Sequence, residues 1–297
     1  MASRMAPAVY DQTQAEIEGG DYIFRANGSV LAFDGFYKIW PREENGESDL
    51  PELSDDEDLE YHAIKPEQQP KMGTVVHRRI VEAKGGQDSG TLVVDTDWLK
   101  PDGNALVKEH TEFAFRGDAQ SRTIDRTTTL TALGEKVIFK DNKEAFYGMR
   151  VARELELPYD KAEVLTDASG KPTSKPIMDN AGVSGQYTSS EGLQGDAVWG
   201  QRAHWMMLTG TVQNEPVTIA MLDKPSNPNF PAFWHARGYG LFAINPLGEK
   251  VLPGGGKRDF DLTLEPGKSA TFHYRVLILG GTAKPADIEK AYQSFAK

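Results

Sequence analysis

The chain has 297 residues, of which 39% are hydrophobic and 26% are charged, a composition typical of one large globular domain or two modest ones. Its formal net charge of −11 argues against nucleic acid as the main partner, and its apolar runs are too short to cross a bilayer. The absence of cysteine excludes disulfides, thiolate nucleophiles and cysteine metal sites. We find no apolar N-terminal stretch of signal-peptide length, so we expect a cytoplasmic protein without a membrane segment.

The first 70 residues predict a small β-rich segment that contains an acidic loop. Residues 21–40 indicate two strands joined at Asn27-Gly28, because both residues of this dipeptide tolerate the positive φ of a tight hairpin. Residues 41–60 follow, with ten acidic side chains and one arginine, a net charge of −9. Such a run is typical of a solvated segment and would repel a phosphate backbone.

From about Lys71 to Gly281, short strands follow one another with turn residues between them, and residues 159–195 indicate an excursion from the sheet. In residues 108–116, Thr111, Phe113 and Phe115 alternate with polar side chains, which predicts one buried and one polar face. The chain ends in a predicted amphipathic helix with Ile288, Ala291, Tyr292 and Phe295 on one face. We therefore predict an all-β fold, a large antiparallel β-sandwich with a C-terminal helix, and two domains, 1–70 and 71–297.

Residues 3 to about 70 resemble the gate region of bacterial type IA DNA topoisomerases. The resemblance is carried by "SRMAPAVYDQT", "GDYIFRANGSVLAFDGFYKI", "LPELSDDEDL" and "KPEQQP". That family requires a tyrosine nucleophile beside a basic residue and an acidic cluster that holds magnesium. Both belong to parts of the topoisomerase that this chain lacks, and Tyr10 lies in the "PAxYD" segment, which is not the cleavage motif. We expect topoisomerase-like sequence without the cleavage chemistry.

From about Val75 to Lys297 the chain resembles the PmoA-like family of bacterial proteins. The resemblance is carried by "VHRRIVEAKGG", "DWLKPDGNALVKEHTEFAFR", "FKDNKEAFYGMRVARELE", "VWGQRAHWMMLTGTV" and "DKPSNPNFPAFWHARGYGLFAINPLG". It implies a supersandwich related to sugar-mutarotase-like folds, in a family context that includes glycan-degrading bacteria and exported proteins. The join at residues 69–73 resembles a fusion of unrelated coding sequences, with the first segment of the family replaced.

The strongest candidate site lies in the segment "PSNPNFPAFWHARGYG", where three prolines precede Trp234, His235 and Arg237. On an extended segment His235 and Arg237 share a face and Trp234 lies on the other. An imidazole transfers protons near neutral pH, a guanidinium binds a carboxylate, and an indole face suits a sugar ring. The alternative is a buried tryptophan and a histidine that is hydrogen-bonded to fix the loop.

A second candidate lies in "FKDNKEAFYGMR", where Asp141, Lys143 and Glu144 follow a strand and could supply a base with its electrostatic partner. The alternative there is a solvated turn with surface ion pairs. Arg202 alternates onto one face with His204 and is a candidate ligand-binding residue. His110 and Glu112 are better explained as a polar outer face than as metal ligands, and we predict no metal site and no cofactor.

We weigh three functions. The first is a protein that binds a carbohydrate or glycoside, with weak or lost acid–base catalysis by His235 and Glu144, and with Trp234, Arg237, Asp141, Lys143 and Arg202 binding the ligand. The second is a non-catalytic binding or structural sandwich, and the third is a DNA-binding remnant without cleavage activity. The expected partner is a small molecule or glycan. Enzymatic activity and oligomeric state are left open.

Overall fold

The computed structural model describes residues 73–143, 146–158, 180–256 and 260–297. The predicted N-terminal hairpin, the acidic loop and Glu144 lie outside these residues. The described chain is mostly β-strand with one C-terminal helix, which confirms the predicted all-β sandwich. In the described ranges no helix is long and apolar enough to span a membrane.

The first layer is an eight-stranded sheet in which every neighbouring pair is antiparallel, in the order β1-β2-β3-β4-β13-β9-β8-β7. The first four strands form a meander, and β13 returns from the end of the chain to pair with both β4 and β9. The strands are β1 (Thr74–Gly85), β2 (Ser89–Leu99), β3 (Ala105–Gly117), β4 (Ser121–Ala132), β7 (Gln186–Ser189), β8 (Trp205–Val212), β9 (Glu215–Asp223) and β13 (Ser269–Gly280).

The second layer consists of two small antiparallel sheets. One has the order β10-β11-β6, with β6 (Tyr147–Arg150), β10 (Phe233–Ala236) and β11 (Leu241–Asn245), and the other pairs β5 (Val137–Phe139) with β12 (Leu262–Leu264). The motif "GYGLFAI" predicts a strand over Tyr239–Ile244, and the structure has this strand as β11, which begins at Leu241. The sequence reasoning did not predict β10, which pairs with β11 around a turn at residues 237–240. Two short 3₁₀ turns, Arg153–Leu155 and Gly195–Val198, connect these elements.

The core lies between the layers and is rich in aromatic contacts. Tyr147 of β6 stacks on Tyr274 of β13 at 5.4 Å, and Phe146 packs on Phe272 with ring centroids 4.3 Å apart. Burial of such large rings is the main favourable term that holds the layers together. In β3 the predicted alternation is observed for Thr111 and Phe113, which are buried, and for Lys108 and Glu112, which are exposed. Phe115, predicted on the buried face, is 38% exposed, because it lies near the end of the strand.

The C-terminal helix α1 (Pro285–Phe295) covers the other face of the large sheet over β8, β9 and β13. Its buried residues are Ile288, Tyr292 and Phe295, three of the four positions in the predicted apolar face. The exposed side of the helix is attached by Glu289, which accepts a hydrogen bond from the Trp205 indole at 2.7 Å.

A charged pair lies inside the sandwich. The Arg126 side chain is 1% exposed and its Nη2 lies 3.3 Å from Oε1 of Glu109, which is itself 6% exposed. Glu109 also accepts hydrogen bonds from the Trp98 indole at 2.9 Å and from Thr111 Oγ1 at 2.7 Å. The guanidinium lies over the Tyr147 ring, 4.9 Å from its centroid. Because the carboxylate has several donors, the desolvation cost of the buried pair is offset by hydrogen bonds.

We predict that Glu109→Ala lowers the free energy of unfolding by about 3–5 kcal/mol, because it leaves the Arg126 charge buried without its carboxylate. Denaturant unfolding followed by fluorescence and circular dichroism measures the change. Glu135→Ala is the control, because Glu135 pairs with Lys100 at 2.8 Å on the exposed surface and its loss has little effect on stability. Equal effects of the two substitutions would contradict a structural role for the buried pair.

A second prediction concerns acid. The indole hydrogen bond from Trp205, supported by Gln293, holds the pKa of Glu289 below its ordinary value. A carboxyl of this kind stabilises the fold above its unfolded pKa, and the contribution is lost as the pH falls through the folded pKa. We expect Glu289→Gln, whose amide oxygen can still accept from Trp205, to lose less stability than the wild type between about pH 5 and about pH 2. Parallel pH–stability curves would show that Glu289 does not anchor α1.

Candidate functional site

The predicted residues His235 and Arg237 lie on the side of the small sheet that faces away from the core. Within β10 and β11, Trp234 pairs with Ile244 and His235 pairs with Ala243. Ala243 in turn pairs with Gly148 of β6, so the three residues form a row across the sheet. The small side chains in this row leave the imidazole as its one large group, and Arg237 follows on the same side as His235, as the alternation predicts.

His235 and Arg237 both contact Trp199, which follows the 3₁₀ turn Gly195–Val198. The imidazole meets the indole edge-on with ring centroids 6.4 Å apart. The Arg237 guanidinium lies 4.7 Å from the Trp199 ring and 5.6 Å from the Tyr239 ring. Arg150, at the end of β6, lies over the Tyr239 ring at 5.1 Å. We call these five residues, Trp199, His235, Arg237, Tyr239 and Arg150, the arginine–aromatic cluster.

The side chains of the cluster range from nearly buried to exposed. His235 is 5% exposed, Trp199 and Arg237 are half-buried, and Tyr239, at 38%, and Arg150 lie on the surface. The Trp199 indole nitrogen is buried and has no hydrogen-bond partner in the described part of the chain. Arginine over an aromatic face gains about 0.5–2 kcal/mol, more where water is excluded. The cluster therefore presents ordered guanidinium and aromatic groups to solvent beside a nearly buried imidazole.

Trp199, Tyr239 and Arg150 were missed as site residues by the sequence reasoning, although each lies in a quoted motif. Arg150 and Trp199 lie 89 and 40 residues from Tyr239 along the chain, and the pairing of β6 with β11 brings Arg150 to the turn. Only Tyr239 was close enough to His235 for a local pattern to find it. Its neighbour Gly240 has a φ of 85°, a conformation that glycine adopts without strain.

Trp234 belongs to the core. It is fully buried, packs against Phe242 at 6.0 Å, and donates its indole hydrogen to the carbonyl of Ala203 at 2.8 Å. Trp234 and His235 therefore lie on opposite faces of the strand, as predicted, and the burial of Trp234 holds β10 against the core. Trp234 thus contributes to the position of the cluster and has no surface of its own to offer a ligand.

The proline-rich connection before β10 is held by a buried carboxylate, Asp223, at the end of β9. Its two oxygens accept hydrogen bonds from Asn227 Nδ2 at 2.7 Å and from the backbone N–H of Ala232 at 2.8 Å. Burial raises the pKa of Asp223 to about 7, against these two donors. Asn227 also bonds both backbone groups of His273 on β13, so the connection is attached to the large sheet.

Arg202 is occupied by the same connection. Its guanidinium donates to the carbonyl oxygens of Asn229 and Pro231, lies 4.2 Å from the Phe233 ring, and pairs with Glu249. None of these partners belongs to the cluster. The observed contacts of Arg202 therefore join two loops, those containing residues 229–231 and 249.

Asp141 and Lys143 follow β5, as predicted, but Asp141 contacts loops that are not part of the cluster. The Asp141 carboxylate accepts hydrogen bonds from the backbone N–H of Lys250 at 3.0 Å and of Phe260 at 2.9 Å. Lys143 is exposed, and Glu144 is outside the described residues. The structure therefore brings together His235 and Arg237, and it places Asp141 with a different set of loops.

No group of three or more histidine, cysteine, aspartate or glutamate side chains within the described ranges could hold a metal ion. The acids nearest to the cluster are single side chains. Asp196 lies beside Gly238, and Glu156 lies beside Gly240 and pairs with Arg153 at 3.8 Å. The described residues of the cluster could therefore bind a ligand through hydrogen bonds, aromatic contacts and the positive charge of arginine.

A protein-family comparison gives a match over most of the chain. The family DUF6807, described as a family of unknown function, matches residues 52–293. This match begins inside the acidic segment, before the predicted join near residue 70. The match covers the β-sandwich and about 20 residues before it, and the description of the family names no activity.

Curated relatives match a short stretch. DNA topoisomerase 1 of Pseudomonas aeruginosa is 37% identical over 70 residues, which is 23% of this chain and 8% of that protein. DNA topoisomerase 1 of Rickettsia conorii is 35% identical over 75 residues, 23% of this chain and 10% of that protein. The chain thus spans about a tenth or less of the length of these relatives.

Solved structures that resemble the chain do so distantly. A putative aldose 1-epimerase from Escherichia coli has a TM-score of 0.31 and 13% identity, and the match covers 84% of this chain and 79% of that one. A galactose mutarotase-like protein from Clostridium acetobutylicum has a TM-score of 0.32 and 11% identity, with 84% and 75% covered. The galactosidase domain of an alpha-galactosidase-sucrose kinase has a TM-score of 0.35 and 11% identity, with 71% and 28% covered.

The row of small residues under the cluster generates a prediction. A Cβ atom on Gly148 would lie 2.4 Å from the Ala243 side chain, so Gly148→Ala must push β6 away from β11. We expect a loss of about 1–3 kcal/mol in the free energy of unfolding. Gly134→Ala is the matched control, because a Cβ there meets nothing within 4 Å. If both variants unfold at the wild-type denaturant concentration, the close packing of this row is refuted.

Proposed function

The chain belongs to DUF6807, a family of unknown function, and we propose that its β-sandwich binds a carbohydrate at the arginine–aromatic cluster. The observation that carries this proposal is the convergence of His235 and Arg237 with Trp199, Tyr239 and Arg150 on one partly exposed surface. The resemblance to the PmoA-like family, which the sequence analysis identified, stays a prediction.

The chemistry of the cluster suits a sugar. Carbohydrate rings present hydroxyl groups at their rims and C–H groups on their faces, so they need directional hydrogen-bond donors beside apolar ring surface. Arginine supplies five N–H donors in a fixed plane, and tyrosine and tryptophan combine a ring face with a polar edge. Tyr239 and the half-buried Trp199 supply ring surface, and the exposed Arg150 supplies donors.

The cluster is also held in place by regular structure, which favours a binding role. His235 lies in β10 and Arg150 in β6, and both strands pair with β11. A site built on strands keeps its side chains in position better than a site built on free loops, and it loses less conformational entropy when a ligand binds. The stacking of Arg237 on Trp199 reduces the rotamers of a side chain that is otherwise flexible.

Catalysis by His235 and Glu144 stays a prediction. His235 is 5% exposed and contacts the Trp199 ring, so a substrate would reach only a small part of the imidazole. A general acid or base has to lie within hydrogen-bond reach of the reacting atom. We therefore propose binding as the primary activity, with Asp141, Lys143, Arg202 and Glu144 to be tested by substitution in the same assay.

The second candidate function is a non-catalytic structural sandwich, and one observation favours it. The polar side chains of Arg202, Asp223 and Asn227 form hydrogen bonds that fix loops, as expected where polar groups serve packing. A structural protein would tolerate substitutions at the exposed members of the cluster without loss of any ligand.

Tyr239→Ala tests the proposal. We expect the affinity for the bound glycan to fall by about tenfold or more, as for an aromatic residue at the centre of a binding site. Phe115→Ala is the matched control, because Phe115 is also 38% exposed but lies at the end of β3 on the large sheet. A panel of neutral and acidic oligosaccharides, measured by calorimetry on the full chain, identifies the ligand first.

Thermal unfolding of both variants must stay within a few degrees of the wild type, since neither residue is buried. If the panel contains no ligand, or if Tyr239→Ala and Phe115→Ala bind it equally well, the cluster is not a carbohydrate site.

A further inference from the structure

We propose that Ser190, His204 and Glu289 form a nucleophile–base–acid triad that takes an acyl group from a carboxylic ester. We call these three residues the serine triad. The triad lies beside α1, and its activity is independent of carbohydrate binding at the arginine–aromatic cluster. The observation that carries the inference is that the His204 ring contacts a serine hydroxyl with one nitrogen and a glutamate with the other.

The pairing of β7 with β8 brings the nucleophile and the base together. Ser190 directly follows β7, and His204 directly precedes β8. The two strands are antiparallel, with Ser189 opposite Met206. The backbone N–H of Ser190 extends the pairing, because it donates to the carbonyl of Trp205 at 3.1 Å. Side chains at the ends of paired strands are held in position by regular structure, as a catalytic site requires.

The hydrogen bonds of the His204 ring are consistent with one tautomer. Its Nδ1 lies 3.1 Å from Ser190 Oγ, and its Nε2 lies 3.3 Å from Oε2 of Glu289. Since a carboxylate only accepts hydrogen bonds, the neutral ring that satisfies both contacts carries its proton on Nε2 and accepts from the serine at Nδ1. In this tautomer a histidine can remove the proton of a serine hydroxyl.

Glu289 is itself held in place, as an orienting acid has to be. Its carboxylate accepts hydrogen bonds from the Trp205 indole at 2.7 Å and from Gln293 Nε2 at 2.5 Å, and these donors hold the pKa of Glu289 below its ordinary value. Tyr292, three residues further along α1, packs on the His204 ring with centroids 4.5 Å apart. Helix α1 therefore supplies both the acid and a packing surface for the imidazole.

Two other histidines each show one half of this arrangement. His273 Nδ1 lies 3.1 Å from Thr127 Oγ1 but bonds to no carboxylate within the described part of the chain. His110 has carboxylates near both ring nitrogens, and none of its described contacts is to a hydroxyl. A hydroxyl and a carboxylate on opposite nitrogens of one ring, as at His204, are the arrangement that activates a serine.

The triad is accessible, although its environment limits its rate. The His204 side chain is 28% exposed and Ser190 is half-buried. The serine hydroxyl also bonds to Glu191 Oε1 at 2.9 Å, and Glu191 is an exposed side chain that a substrate can displace. The backbone N–H groups of Ser190 and Gly192 are bonded to carbonyl oxygens, so they do not stabilise an oxyanion. Because one oxyanion donor contributes about 10²–10³ in rate, we expect slow turnover of activated esters.

The proposed reaction is an acyl transfer to Ser190. Ser190 Oγ attacks the carbonyl carbon of the ester while His204 Nδ1 takes the hydroxyl proton, and this proton passes to the alcohol oxygen as its bond to the carbonyl carbon breaks. Water then attacks the acyl-serine and gives a proton to Nδ1. The carboxylic acid is released as Ser190 Oγ regains that proton. Glu289 acts through His204 as a positioning residue, and its charge stabilises the imidazolium.

A fluorophosphonate probe on the full chain tests the nucleophile. We expect covalent labelling of Ser190, located by peptide mass spectrometry, and its loss in Ser190→Ala. Ser269→Ala is the matched control, because the Ser269 hydroxyl bonds to another hydroxyl, Thr131 Oγ1, at 2.8 Å. In His204→Gln and in Glu289→Gln the rate constant of labelling is expected to fall about tenfold or more, while the half-saturating probe concentration stays within about twofold. A merely structural role would not separate these two quantities.

An introduced thiol gives an independent test, because the chain contains no cysteine. We expect iodoacetamide at neutral pH to alkylate the Ser190→Cys variant about tenfold faster than the Ser269→Cys variant, since a neighbouring imidazole favours the thiolate. Adding His204→Gln to Ser190→Cys is expected to remove the difference.

Each experiment has a result that overturns the proposal. If the probe does not label Ser190, or labels it equally fast in His204→Gln, Ser190 is not a nucleophile activated by His204. Equal alkylation of the thiols at positions 190 and 269 overturns the triad as well. Carbohydrate binding is measured at other residues, so it stands or falls separately.

Discussion

The contact between Arg126 and Tyr147 is the interaction on which the rest of the structure depends. Arg126 belongs to the large sheet and Tyr147 to the small one, and the guanidinium lies 4.9 Å from the ring inside the sandwich. Glu109 holds the other side of Arg126. Tyr147 is the first residue of β6, and Arg150 is the last. The same four-residue strand is therefore anchored in the core at Tyr147 and carries Arg150 of the cluster at its other end. The packing of Tyr147 in the core thus fixes the backbone position of Arg150.

The opposite side of the cluster is fixed through a separate network. Asp223 and Asn227 attach the proline-rich connection to β13, and Trp234 then enters the core with its indole bonded to Ala203. Alternation along β10 does the rest, since a strand that turns Trp234 inward must turn His235 outward. The buried polar groups Asp223 and Asn227 thus hold the segment that carries His235 and Arg237 in position.

Sequence reasoning succeeded where the signal was local. The alternation in β3 and the apolar face of α1 each depend on residues a few positions apart. The structure confirms the apolar face of α1 at three of its four positions and the alternation of β3 as far as Phe113, as it confirms the all-β sandwich. The shared face of His235 and Arg237 was predictable for the same reason. Trp199 and Arg150 were not predicted as partners, because their proximity depends on the pairing of β6 with β11 and on a 3₁₀ turn that no local pattern announces.

Sequence reasoning predicted one strand after the proline-rich connection, where the structure has two. Residues 233–236 form too short a stretch for periodicity to identify a strand, so the sequence did not show that the chain folds back at residues 237–240. The hairpin moves Tyr239 from a strand to a turn, where its ring is exposed and lies between Arg237 and Arg150. The functional meaning of the motif "HARGYG" therefore depends on a turn that the glycines permit.

A buried polar atom without a hydrogen-bond partner indicates a binding site only where a ligand can reach its neighbourhood. The hydroxyl of Tyr274 and the indole nitrogen of Trp199 are both buried without a hydrogen-bond partner among the described residues. Each carries a desolvation cost of about 1–3 kcal/mol. Tyr274 is 1% exposed in the middle of the core, so no ligand can reach it and its cost belongs to packing. Trp199 is half-buried in the same cluster as the exposed ring of Tyr239. An unpaired polar group near an accessible surface is typical of a binding site, because a ligand that bonds to it recovers part of the desolvation cost.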